Sequence, residues 1–123
     1  KAAMCRLVGG NGDPSTRIEN RIGEPAANPY LYMASQIFSG LDGISTQKDP
    51  GPPLNDNPYA QTHLEAMPAS LLEAVDALTT SEMLKNGMGK ALIDHFIGQK
   101  KHEIGRFMSA VTDWEHTEYF EMF

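Results

Sequence analysis

TRIENRIGEPAAN (Thr16–Asn28), followed at once by PYLYMASQ (29–36), is the stretch whose reading decides the fold. It sets Arg17, Glu19 and Arg21 at alternate positions. In an extended strand, alternate side chains share a face. The three charged groups would then line one surface, and Ile18, Asn20 and Ile22 the other. A cation–anion–cation row does nothing for sheet packing. It suits a site that holds a metal together with anionic ligands. The plain structural reading is a solvated strand face with a local salt bridge, which contributes little. Spacing alone leaves both readings open.

Working outward, Asn28-Pro29 predicts a helix start, because Asn is a favoured N-cap and Pro suits the first helical position. The helix is expected over about Pro29 to Leu41, with Leu31, Ala34, Ile37, Phe38 and Leu41 as its apolar stripe and Gly43 as terminator. Upstream, Ala3–Val8 reads as a strand and GGNGDPS (9–15) as a turn-forming loop. The two strands suggest an antiparallel hairpin. Two strands alone are marginal in water, so the hairpin implies a larger sheet.

TRIENRIGEPAANPYLYMASQIFSGLDGI (16–44) closely resembles the carboxyl-terminal part of the glutamine synthetase catalytic domain. The similarity rests on the R-x-E-x-R row, the P-A-A-N-P-Y-L run and the G-L-D-G-I that follows. KAAMCRL (1–7) is similar to the family's N-R-S-A-x-x-R-I strand but departs from its usual lead-in. VTDWEHTEYFEMF (111–123) resembles the tail of bacterial glutamine synthetase-like ligases. The resemblance implies that Glu19 binds an active-site divalent cation, magnesium or manganese. It implies that Arg21 contacts glutamate, and that Arg6 and Arg17 lie on the nucleotide-phosphate side, with Arg17 and Arg21 the catalytic pair. Carboxylate oxygen suits magnesium, and the guanidinium fork suits carboxylate or phosphate.

The function so implied is that of an ATP-dependent glutamate–ammonia ligase forming glutamine through γ-glutamyl phosphate. Its substrates would be glutamate, ammonia and ATP, its assembly a ring-shaped homo-oligomer, and its location the cytoplasm. A γ-glutamyl ligase for another amine, such as methylamine, is the alternative within the class. A non-catalytic structural relative is the alternative outside it, and the Arg–Glu–Arg row argues against that one, since a scaffold has no use for it. The family's other metal-binding glutamates and its ammonia-site residues lie upstream of the matching region. These 123 residues alone are therefore expected neither to bind ATP tightly nor to catalyse.

The remaining sequence bounds the fold. The net charge of −6 argues against a general nucleic-acid binder. No apolar run is long enough for a bilayer-spanning helix, and no signal-peptide pattern opens the chain. Cys5 is the sole cysteine, so no internal disulfide can form; a buried strand thiol is expected. The opening KAAMCRLV reads as mid-strand, which suggests a piece of a longer protein. The expected organisation is a hairpin over 1–22 carrying the active-site residues, a helix over 29–43, a loop over 44–68 and a helical tail over 69–123. This is a mostly α-helical piece of an α+β domain.

The loop is rich in proline, and Tyr59 lies near a tyrosine that some bacterial relatives adenylylate. NDNPYA does not reproduce that motif, so an ordinary loop tyrosine is expected. Ser70-Leu-Leu-Glu73 is a capping box for a helix over Leu71–Leu78. Thr80 is expected to cap a turn over Ser81–Lys85 that stops at Gly87. A long helix is expected over Lys90–Ala110, with Leu92, Ile93, Phe96, Ile97, Ile104, Phe107, Met108 and Val111 on one face. A last helix begins at Thr112 or Asp113. His95 and His102 share that long helix but stand about 10 Å apart along it, too far to meet at one ion. His63 and His116 are expected at the surface.

Overall fold

The computed structural model describes residues 3–61 and 63–122. The ends of the expected segments at Lys1, Ala2 and Phe123, and Thr62 in the loop, lie outside the described residues. The chain divides into two units, Lys1–Ala66 and Met67–Phe123. The architecture is mostly helical with one short amino-terminal hairpin.

In the first unit, β1 (Cys5–Val8) and β2 (Arg17–Asn20) pair antiparallel, in the register Cys5–Asn20, Arg6–Glu19, Leu7–Ile18, Val8–Arg17. The intervening loop closes on itself through short polar contacts. The Thr16 hydroxyl donates to the Gly10 carbonyl at 2.7 Å and accepts from the Gly10 N–H at 3.1 Å. Asp13 Oδ1 accepts the Ser15 N–H at 2.7 Å, an Asx turn. Gly9 stands at φ +91°, and a Cβ there would lie 2.7 Å from Thr16 Oγ1, so only glycine fits.

Helix α1 spans Pro29–Ser45. Its start is as the sequence predicts: Asn28 Oδ1 accepts from the N–H groups of Tyr30 and Leu31 at 3.0 and 3.3 Å, with Pro29 in the first turn. Its end is not. The helix runs through Gly43, because the Ser45 and Thr46 hydroxyls and the Thr46 N–H all bond to the Asp42 carbonyl. The expected apolar stripe also divides. Leu31, Ala34 and Phe38 are half-buried, whereas Ile37 and Leu41 are exposed, in line with Tyr30, Met33 and Ile44. Spacings of three and four through 30, 33, 37, 41 and 44 make a second ridge beside the first. The two adjoining ridges make a wide apolar arc, which suits a helix packed from more than one direction.

The expected loop over 44–68 contains one short 3-10 turn, Pro58–Ala60, where none was expected. Asn57 caps it through the Tyr59 N–H at 3.1 Å. Tyr59 is exposed there.

The described residues of the second unit form four helices: α2 (Leu71–Thr80), α3 (Glu82–Met88), α4 (Lys90–Met108) and α5 (Asp113–Tyr119). Ser70 caps α2 as predicted, with the Glu73 N–H donating to Ser70 Oγ at 3.1 Å, but the capping box is not closed, because the Glu73 carboxylate accepts the Ala69 N–H at 2.9 Å instead of that of Ser70. Ser81, rather than Thr80, caps α3, because Thr80 is still helical and turns its hydroxyl to the Ala77 carbonyl. Helix α3 passes through Gly87 and stops at Gly89, whose φ of +94° breaks the chain direction before α4.

The core of this unit is small. Val75, Ile93 and Ile97 are buried, with Leu78, Leu84, Met88 and Ile104 packed round them. Each buried aliphatic side chain contributes about 1.5–3 kcal/mol. The apolar face expected along α4 is thus only half used. Ile93 and Ile97 meet α2 and α3, whereas Leu92, Phe107, Met108 and Val111 are exposed. Leu71 and Leu72 join Ile104, Phe107 and Met108 round an open apolar groove of about 800 Å³.

Candidate functional site

The alternation of the hairpin places the charged residues together. Arg6 stands directly opposite Glu19, and Arg17 opposite Val8. The Arg21 N–H continues the ladder by donating to the Met4 carbonyl at 2.8 Å. Arg6, Arg17, Glu19 and Arg21 therefore share one face of the two strands, with successive members of the β2 row about 7 Å apart. The opposite face carries Cys5, Leu7, Ile18 and Asn20. Leu7 and Ile18 are 70% and 75% exposed, so nothing in this unit covers that part of the face. For the same reason Cys5 is exposed, not buried as its strand position suggested.

Within the charged face each group has a different local setting. Arg6 Nε lies 2.7 Å from Glu19 Oε2. The N–H is not aimed along that line, so the contact is an ion pair, and Oε2, sequestered from water, accepts no hydrogen bond among the described residues. Arg17 turns toward the loop and donates from Nη1 to the Ser15 carbonyl at 3.0 Å. Arg21 is half-buried and makes no ion pair among the described residues.

This arrangement offers three cationic groups and one carboxylate on a single surface. The guanidinium groups can take carboxylate or phosphate oxygens. Glu19 Oε2 is shielded and, among the described residues, met only by the Arg6 ion pair, and a carboxylate oxygen is a suitable hard ligand for magnesium. Glu19 thus fits as one ligand of such an ion. No group of three or more His, Cys, Asp or Glu side chains converges among the described residues, so the rest of a coordination shell is not built from them. His95, His102, His63 and His116 are all exposed, and none takes part in such a group.

One contact beside the charged face was not foreseen. The Asn20 side chain, on the face away from the charges, bonds α1: its Nδ2 donates to Gln36 Oε1 at 2.7 Å. The signal available in the sequence was an asparagine inside a strand, where asparagine is disfavoured unless its amide has partners. Among the described residues, no helix is long and apolar enough to cross a membrane.

The model of the glutamine synthetase catalytic domain matches residues 1–119. Among curated proteins, the chain is 46% identical over 134 residues to the gamma-glutamylanilide synthase of an Acinetobacter species, covering 99% of this chain and 26% of that protein. It is 36% identical over 130 residues to the glutamate–methylamine ligase of Methyloversatilis universalis, covering 100% of this chain and 28% of the relative. It is 34% identical over 129 residues to the glutamine synthetase of Methanococcus maripaludis, covering 99% and 29%. The chain spans about a quarter of the length of the curated relatives it matches.

Proposed function

The chain belongs to the glutamine synthetase family, and from that premise we propose that the protein carrying it is an ATP-dependent ligase joining an amine to the γ-carboxylate of glutamate. The observation that carries the proposal is the common face of Arg6, Arg17, Glu19 and Arg21. In the first step the γ-carboxylate oxygen takes the terminal phosphoryl group of ATP, releasing ADP and leaving γ-glutamyl phosphate. In the second, the amine nitrogen forms a bond to the acyl carbon, phosphate departs, and the nitrogen loses a proton.

Arg21 holds the glutamate substrate. Arg6 and Arg17 offset the charge of the phosphates as the phosphoryl group moves. Glu19 holds one magnesium or manganese ion, which supplies charge neutralisation at the phosphates. For Glu19 Oε2 to serve as that ligand, the Arg6 guanidinium must leave its 2.7 Å contact. Its 57% exposed side chain has the freedom to swing toward a phosphate. A single carboxylate is too little for catalysis, so this segment acts with parts of the site supplied elsewhere. A ring-shaped homo-oligomer and a cytoplasmic setting belong to the same reading and are supported by the family.

For the acceptor we favour an aromatic amine. The support is the 46% identity to a protein named for anilide synthesis, against 36% and 34% for those named for methylamine and glutamine. Ammonia, the acceptor implied by the family resemblance, is the second reading. The test is phosphate release by the full-length protein with ATP, glutamate and either aniline, methylamine or ammonium. Aniline is expected to give the highest kcat/KM. A preference for ammonium establishes the second reading, and release stimulated by no amine overturns both.

A further inference from the structure

We propose that Asn20 and Gln36 form a positioning pair that sets the orientation of Glu19 and Arg21 by pinning β2 to α1 from the side away from the charges; the proposal rests on the ligase reading of that face. Asn20 sits between Glu19 and Arg21, with its side chain on the opposite face. Both ends of its amide are used. Oδ1 accepts the Ile22 N–H at 3.1 Å, just where the ladder ends, and Nδ2 donates to Gln36 Oε1 at 2.7 Å. Among the described residues, this is the one side-chain hydrogen bond joining the hairpin to α1.

The helix side of the pin is itself braced. Gln36 Nε2 donates to Ser35 Oγ at 3.3 Å, and the Ser35 hydroxyl donates to the Tyr32 carbonyl at 2.7 Å. The Tyr32 hydroxyl lies against Gly23, where an added Cβ would come within 3.1 Å of it. The segment leaving β2 therefore meets α1 at two places, Asn20 on Gln36 and Gly23 on Tyr32. The first turn of α1 is held by Asn28.

The consequence follows from strand geometry. β2 is paired to β1 from Arg17 to Asn20, and the Arg21 N–H contact with Met4 is the last rung. Past that rung the end of β2 is braced from the α1 side by the Asn20 amide. Side chains on alternate faces move together, so a roll that releases Asn20 tilts Glu19 and Arg21 in the opposite sense. Binding groups held to within about 0.5 Å depend on such supports. An apolar residue would serve strand propensity better at this position, which makes the amide's hydrogen bonds its reason for being there.

The experiment uses the full-length protein and titration calorimetry with magnesium and with glutamate, which needs no turnover. Asn20→Leu and Gln36→Leu are each expected to weaken both ligands by roughly three- to tenfold, the worth of one net hydrogen bond. The double variant is expected to be no worse than either single one. The exchange Asn20→Gln with Gln36→Asn, which restores an amide pair, is expected to recover most of the loss. If a leucine variant does not fold, Asn20→Ser removes the reach to Gln36 while keeping a cap for Ile22, and the same weakening is expected. Equal binding by wild type and every folded variant overturns the positioning role, as does an exchange variant that folds but recovers nothing. A wild type that binds neither magnesium nor glutamate overturns the ligase reading instead, so the two failures are told apart.

Discussion

Arg6 and Glu19 are register partners across the hairpin, and their side chains meet at 2.7 Å on the exposed charged face. Both remain substantially in contact with solvent, at 57% and 38%. Exposed pairs of this kind contribute about 1 kcal/mol or less. Arg6→Ala is therefore expected to change the urea unfolding free energy of the chain by no more than about 1 kcal/mol. A loss of several times that would make the pair a structural clamp.

Gly9 predicts a larger cost at the other end of the same hairpin. Its φ of +91° and the 2.7 Å approach of an added Cβ to Thr16 Oγ1 both oppose a side chain. Gly9→Ala is expected to lose about 1–3 kcal/mol, read from the same unfolding curves. Alanine tolerated without cost would mean that the turn has another accessible conformation.

The helical unit predicts a contrast along one helix. Ile93 is 4% exposed and Ile97 8%, whereas Phe107 is 70% exposed. Ile93→Ala is expected to lose about 2–5 kcal/mol and Ile97→Val about 0.5–1.5 kcal/mol. In the isolated chain Phe107→Ala is expected to fall within about 0.5 kcal/mol of wild type. Thermal unfolding followed by helical circular dichroism gives all three values.

Helix α5 predicts a pH dependence. Thr112 and Glu115 form a capping box, with the Thr112 N–H donating to Glu115 Oε2 at 3.0 Å. The Thr112 hydroxyl, then the backbone N–H groups of Glu115 and Thr112, hold the Glu115 carboxyl below its ordinary value of 4.5. A depressed carboxyl binds its proton more weakly folded than unfolded. Its contribution is therefore complete above about 4.5 and is lost as pH falls through the lowered value. Trp114 stacks edge-on to Tyr119 at 5.8 Å within this helix and reports on it. Trp114 fluorescence is expected to show α5 loosening below that pH. In Thr112→Ala, helix stability falls by about 0.5–2 kcal/mol at neutral pH. An acid transition unchanged by that substitution would place its origin elsewhere.

Local signals in the sequence were read well where they are strong. Asn28-Pro29, Ser70 with Glu73, and Thr112 each mark a helix start through a side chain that bonds the first turn. The alternation of Arg17, Glu19 and Arg21 placed them on one face because the strand period admits no other arrangement. Helix ends were harder. Gly43 and Gly87 look like terminators, yet both lie inside helices, where the loss of propensity is only about 1 kcal/mol and neighbouring caps outweigh it.

Burial was the least legible quantity. Cys5, Ile37, Leu41, Phe107 and Met108 are apolar enough for a core and stand exposed here. Periodicity tells which residues share a face, not whether anything covers it. The Asn20–Gln36 bond was invisible for a related reason: it joins positions sixteen apart whose meeting depends on how the chain turns between them.

The proposed site for metal and anionic substrates is the face bearing Arg6, Arg17, Glu19 and Arg21. Its most direct test is amine-dependent phosphate release by the full-length protein with Glu19→Gln, measured across a magnesium titration and with oligomer size checked alongside. Activity is expected at least about a hundredfold below wild type in an assembly of unchanged size. Wild-type activity and an unchanged magnesium requirement in Glu19→Gln would contradict it.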